Sequence, residues 1–207
     1  LKFIKSFEKI KNVLDNKIIK KKKIWCASST HLGEEIISAN IHLKLKKKIN
    51  NLLTIIIPRH IDRKNEIINS IGNLNLKVHL HSSKNKIDDN IDIYLVDTYG
   101  ETKKFFKISK VVFLGGSMVN HGGQNPLEAA RFGCKILHGK YIHNFTEIYS
   151  LLKKNKQSKK INSQKHLNYV LRNSLMKKYK SDIFIKKLNR NTSLILKKTT
   201  NEITKLI

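Results

Sequence analysis

LLTIII, at Leu52–Ile57, has no charged residue, and four of its six side chains are β-branched. A run of that kind suits a strand covered on both faces, and Pro58 closes it by withholding an N–H. Strands covered on both faces occur in parallel sheets, where each strand reaches the next through a crossover. The chain has the segments to build them. Glu34–Ile49 places Ile37, Ile41, Leu45 and Ile49 four apart, on one face of a predicted helix. Arg63–Ile71, Glu101–Ile108, Pro126–Phe132 and Asn144–Lys154 are further predicted helices. Ile24–Ser28, Leu76–Leu80, Asp92–Val96, Val111–Gly116 and Lys135–Gly139 are predicted strands between them.

This alternation predicts an α/β fold: a Rossmann-like parallel sheet with right-handed crossovers and helices on both faces. It is expected to stop near Ser158, with Leu167–Ile207 mostly helical and rich in Lys and Asn. The expected organisation is a domain over residues 1–157 and a C-terminal helical segment over 158–207 that packs on it or trails it.

Ligands of such sheets bind beyond the carboxyl ends of the strands. Four polar stretches fall there. Ser28–Glu35, SSTHLGEE, opens a helix; its hydroxyls can form a capping box or meet a phosphate, and Gly33 permits close backbone approach. In PRH, Pro58–His60, Arg59 offers a planar cation to the crevice. In DTYGE, Asp97–Glu101, Asp97 and Thr98 are turn formers, Gly100 suits a positive φ, and Glu101 suits a helix start.

The fourth stretch runs from a strand through GGSMVNHGGQNPLE into a helix. Gly115, Gly116, Gly122 and Gly123 expose amides, Pro126 suits a first helical turn, and Glu128 can accept ribose hydroxyls. Two glycine pairs favour ligand contact over a plain turn. The spacing matches neither the dinucleotide fingerprint nor a Walker loop. One Arg, two carboxylates and several amides on one sheet edge suit a nucleotide with one phosphate. No His or Cys cluster or paired acidic motif offers metal ligands, and no cofactor is expected.

Composition leaves more open. Lys and Arg number 42 against 15 acidic residues, a net charge of +27, which fits a polyanionic partner or an AT-rich genome equally. The aromatics are not interleaved with the basic runs and no nucleic-acid motif is present, so a nucleic-acid partner is not expected. Cys26 and Cys134 lack ligand spacing and are expected to be buried thiols. No apolar run is long enough to cross a bilayer, and no signal peptide stands at the start. The first residue is Leu, so a preceding portion is expected.

STHLGEE, PRH, DTYGE and GGSMVNHGGQNPLEAA occur here in the order and with separations similar to those of 3-deoxy-D-manno-octulosonic acid (Kdo) transferases. The resemblance runs from about Leu1 to Leu152 and more loosely to the end of the chain. It implies the C-terminal, donor-binding half of a GT-B glycosyltransferase plus closing helices. It further implies CMP-Kdo as donor, a lipid A precursor as acceptor, an anionic membrane surface, and the cytoplasmic face of the inner membrane during lipopolysaccharide synthesis.

The family's CMP contacts would map to Pro58, Arg59, Tyr99, Gly100, Glu101, Asn125, Pro126, Leu127 and Glu128. Ser29, Thr30, His31, Gly33, Gly122 and Gly123 would lie by the donor's phosphate or sugar. Gln124 stands where the family usually has His, and Thr102 where an apolar residue is common. The catalytic base is expected on an N-terminal domain, supplied separately if at all, so this chain is expected to be inactive alone. Another GT-B nucleotide-sugar enzyme, with a UDP donor or an epimerase activity, remains the alternative, with a basic nucleic-acid-binding protein behind it.

Overall fold

The structure, a computed structural model, describes residue 17, residues 21–83 and residues 85–176. The start of the resemblance at Leu1 and the predicted helical pattern beyond residue 176 lie outside the described residues.

Seven strands form one parallel sheet: β1 Lys23–Thr30, β2 Leu52–Pro58, β3 Val78–Leu80, β4 Ile93–Leu95, β5 Val111–Leu114, β6 Lys135–His138 and β7 Ser158–Lys160. Their spatial order is β3-β4-β2-β1-β5-β6-β7. The helices are α1 Glu34–Lys46, α2 Lys64–Gly72, α3 Thr102–Ile108, α4 Leu127–Arg131, α5 Thr146–Lys154 and α6 Gln164–Met176. Single 3-10 turns, Ile61–Arg63 and His143–Phe145, lead into α2 and α5. The α/β sheet expected from the alternation is present.

Side-chain alternation sorts the core into two layers. Cys26, Leu53, Ile55, Val112, Leu114 and Ile136 face Phe105 and Phe106 of α3, Ala129 and Ala130 of α4, and Tyr149 and Leu152 of α5. On the other face Trp25, Ala27, Phe113 and Leu137 meet Ile41 and Leu45 of α1 and Leu167, Val170 and Leu171 of α6. Farther along that face Ile56 and Ile93 pack on Ala39 of α1 and on Ile67 and Ile71 of α2. Each fully buried large side chain contributes about 1.5–3 kcal/mol, which offsets the entropy of ordering it.

Strand pairing does not stop at Ser158. β7 joins β6 in parallel, Ser158 beside Ile136 and Lys160 beside His138, and α6 then returns over β1 and β5. Sequence pattern misses β7 because it is an edge strand of Ser-Lys-Lys, stabilised by pairing rather than apolar content.

One polar cluster is built into the opposite, amino edge of the sheet. His42 of α1 is fully buried, with Nδ1 2.8 Å from Thr54 Oγ1 and Nε2 3.2 Å from Asp92 Oδ1. Lys46 and the Lys77 amide also donate to Asp92, at 2.6 and 3.0 Å. Burial lowers the His42 pKa to about 4 against the pull of Asp92, so the ring is neutral near pH 7. The two cysteines are free and buried, and burial pushes the Cys134 thiol up to about 12.

Candidate functional site

The strand order reverses at β1 and β5, which places the ligand crevice of a doubly wound sheet between their carboxyl ends. β1 breaks its register there. Ser29 takes a left-handed φ of 55°, and the pairing with β2 jumps from Ser28 to Thr30. A non-glycine residue in that region is strained and needs its surroundings to hold it. They do so from both sides: the Arg59 amide donates to Thr30 O at 2.9 Å, and the Gly115 amide donates to Ser28 O at 2.8 Å. PRH and the glycine loop therefore flank one strand end.

The glycine loop is tied down internally. Glu34, in the first turn of α1, accepts the amides of His31 (3.0 Å), Gly116 (2.7 Å), Ser117 (3.3 Å) and Met118 (3.0 Å). Burial raises the pKa of its carboxyl group, and the four amides oppose that rise. A Cβ on Gly115 would strike the Ser29 carbonyl, lie 2.6 Å from Thr30 Cα and lie 2.7 Å from Glu34 Oε2. Gly122, at φ 77°, sits where a Cβ would run into the Asn144 amide. At Gly115 and Gly122 the missing side chain lets the protein approach itself. Of the two alternatives for this stretch the capping box is not formed; Gly33, at φ 89°, is the N-cap of α1, with no side-chain cap.

Above the Glu34 clamp stand three histidines. His31 and His121 stack with ring centroids 4.1 Å apart, and His60 meets His31 edge-on at 5.9 Å. Burial, then His121, His60, Arg59 and Arg63, lower the His31 pKa to about 4. Its Nε2, with Ser28 Oγ and Thr30 Oγ1, is buried without a hydrogen-bond partner in the protein. Buried polar atoms are normally paired, so three orphans at one strand end mark the place where a ligand's oxygens would fit. Among the described residues no group of three or more His, Cys, Asp or Glu could hold a metal ion.

The remaining predicted site residues divide by location. Pro58 is the buried last residue of β2, and Arg59 beside it is exposed. Beyond β4, one strand farther out, Tyr99 is exposed and Gly100 turns at φ 80°. Glu101 is the N-cap residue of α3; its carboxylate pairs with Lys104 and lies 3.9 Å from His81 Nε2. Asp97 anchors the loop after β3, accepting the Ser82 amide at 2.8 Å and hydroxyl at 2.6 Å, with Lys64 at 3.4 Å. Burial opposes ionisation of Asp97, but Ser82 and Lys64 hold its pKa below the usual value.

On the glycine-loop side Asn125 Oδ1 accepts the Leu127 amide at 3.0 Å, Pro126 is buried, and Gly123 donates to Gly116 O at 2.9 Å. Glu128 lies 3.6 Å from Lys103 of α3, which joins the segments carrying Glu101 and Glu128. With five residues α4 sums few peptide dipoles, so its N-terminus attracts an anion less than sequence pattern suggests. Sequence reasoning missed Glu34, His60 and His121 as site residues. The only local signal was a carboxylate at the start of α1, which also fits the helix dipole.

No protein-family model matches the chain. The chain is 37% identical over 129 residues to the 3-deoxy-D-manno-octulosonic acid transferase of Haemophilus influenzae, covering 62% of this chain and 30% of that protein. It is 33% identical over 149 residues to the transferase of the same description in Rickettsia bellii, covering 72% and 35%. A bifunctional glycosyltransferase/methyltransferase of Fusobacterium nucleatum is 35% identical over 146 residues, 70% of this chain and 21% of that protein. The chain thus spans about a fifth to a third of these relatives' length.

In three dimensions it resembles the C-terminal CMP-Kdo binding domain of WaaA from Acinetobacter baumannii. The TM-score is 0.80 at 22% identity, over 88% of this chain and 95% of that one. That is a GT-B Rossmann-like fold. The ordered motifs, the fold and these relatives agree on one resemblance, to 3-deoxy-D-manno-octulosonic acid transferases.

Proposed function

We propose that this chain is the donor-binding part of a glycosyltransferase that moves Kdo from CMP-Kdo to a lipid A precursor in lipopolysaccharide synthesis. The observation that carries the assignment is the meeting of Arg59 and the glycine loop on the carboxyl end of β1, among the unpartnered Ser28, Thr30 and His31 atoms. Arg59 meets the donor phosphate. The exposed ring of Tyr99 and the Gly100–Glu101 turn take the cytosine, and Glu128 takes ribose hydroxyls. Asn125, Pro126 and Leu127 shape the wall between them. Ser29, Thr30, His31, Gly33, Gly122 and Gly123 lie toward the sugar.

The acceptor hydroxyl attacks the anomeric carbon, its C–O bond to the phosphate breaks, and CMP leaves with both electrons. Arg59 stabilises charge that grows on the departing phosphate. The base that takes the acceptor proton comes from a second domain, as does the acceptor site. The donor contacts all fall within residues 1–157, and the described residues beyond them add the edge strand β7 and the helix α6 over the sheet. No described helix is long and apolar enough to cross a membrane, so attachment to the cytoplasmic face of the inner membrane runs through surface charge or the second domain.

Titrating CMP and UMP against the chain tests the donor assignment. Saturable binding with CMP preferred supports it. A preference for UMP favours a UDP-sugar enzyme, and binding of neither, with the fold intact, removes the nucleotide site.

A further inference from the structure

Backbone amides at the strand-order reversal of an α/β sheet commonly cradle phosphate oxygens. In this chain several of those amides are already taken. Glu34 Oε2 accepts from His31 and Gly116, and Oε1 accepts from Ser117 and Met118, all within 3.3 Å. The residue is 0% exposed. Gly115 keeps the space: any side chain there would reach Glu34 Oε2 as well as the backbone of Ser29 and Thr30.

We propose that Glu34 is a built-in anion that fills this cradle and so selects a nucleoside monophosphate ligand over a diphosphate one, an assignment that rests on the nucleotide site described above. A monophosphate ester carries one phosphate, which Arg59 meets at the neighbouring strand end. A diphosphate carries a second, whose natural seat is the β1–β5 crevice. There the His31, Gly116, Ser117 and Met118 amides are spent, and a buried carboxylate repels the newcomer. Glu34 acts on the ligand through the loop it holds and through its field, so it is a specificity and positioning residue.

The test is calorimetric titration of the 207-residue chain and its Glu34→Gln variant with CMP and with CDP, alongside each protein's melting temperature. The wild-type chain is expected to prefer CMP by roughly tenfold or more, as a like-charge clash of this kind implies. Glu34→Gln keeps the side chain's size and removes its charge, and it should narrow that preference through a gain for CDP. A merely structural role would lower the melting temperature and both affinities together, leaving the CMP-to-CDP ratio unchanged, and that result overturns the proposal. If the variant does not fold, amide NMR of the wild-type chain decides. The Gly116, Ser117 and Met118 resonances should hold their positions as CDP is added; movement of all three at saturation overturns the proposal. Equal wild-type affinity for CMP and CDP overturns the role of Glu34 alone. Failure to bind either nucleotide overturns the nucleotide site and this assignment with it.

Discussion

Arg59 and Gly115 hold the end of β1 from opposite sides, Arg59 through Thr30 O at 2.9 Å and Gly115 through Ser28 O at 2.8 Å. The two come from distant parts of the chain, yet both converge on the strained turn at Ser29, φ 55°.

Gly115→Ala is expected to destabilise the fold by about 1–3 kcal/mol or more, because backbone rather than a movable side chain stands in the way of the new Cβ. Urea denaturation checks this. Gly72→Ala is the control, since its Cβ position is open and its φ ordinary for a helix. Equal stability of the Gly115 variant and wild type would contradict the close approach.

Glu128→Ala should weaken CMP binding by roughly 1–3 kcal/mol if the carboxylate holds a ribose hydroxyl. Because Glu128 is half-exposed and its partner Lys103 lies on the surface, the melting temperature should stay near wild type. Unchanged affinity would remove Glu128 from the ligand.

Asp92→Asn should cost about 3–5 kcal/mol, since it disrupts a buried polar network that includes His42, Lys46 and the Lys77 amide. The cluster lies at the amino edge of the sheet, away from Arg59. At temperatures where the variant is folded, CMP affinity is therefore expected to match wild type. Titration against the folded variant checks that separation.

Acid should destabilise the chain through His31 and His42. Both have a folded pKa near 4 against an ordinary 6.5. Between those values the unfolded state binds more protons, so the stability from keeping both rings neutral is present above about pH 6.5 and is lost progressively toward pH 4. Melting temperatures measured from about pH 7 down to about 4.5 should fall, and His31→Gln should make the fall shallower. An unaltered slope in that variant would show that His31 does not titrate as its surroundings dictate.

The sheet was legible where strands are covered on both faces, as in Leu52–Ile57, because an uncharged β-branched run has few other uses. β7 was not, since Ser158, Lys159 and Lys160 have no strand pattern and pair only because β6 offers an open edge. The glycine loop was legible as a place of close approach. What approaches it was not, because Glu34 meets Gly116 across 82 residues of sequence, and no local pattern encodes that distance. His60 and His121 join His31 for the same reason.

The most direct measurement is CMP affinity of the 207-residue chain against that of Arg59→Ala, with melting temperature followed in both. Loss of one charge-assisted contact of about 1.5–3 kcal/mol should weaken binding roughly tenfold or more. The melting temperature should not move, because the Arg59 side chain is exposed and its structural bond is made by backbone. Equal CMP affinity in the two proteins would contradict a phosphate site built on Arg59.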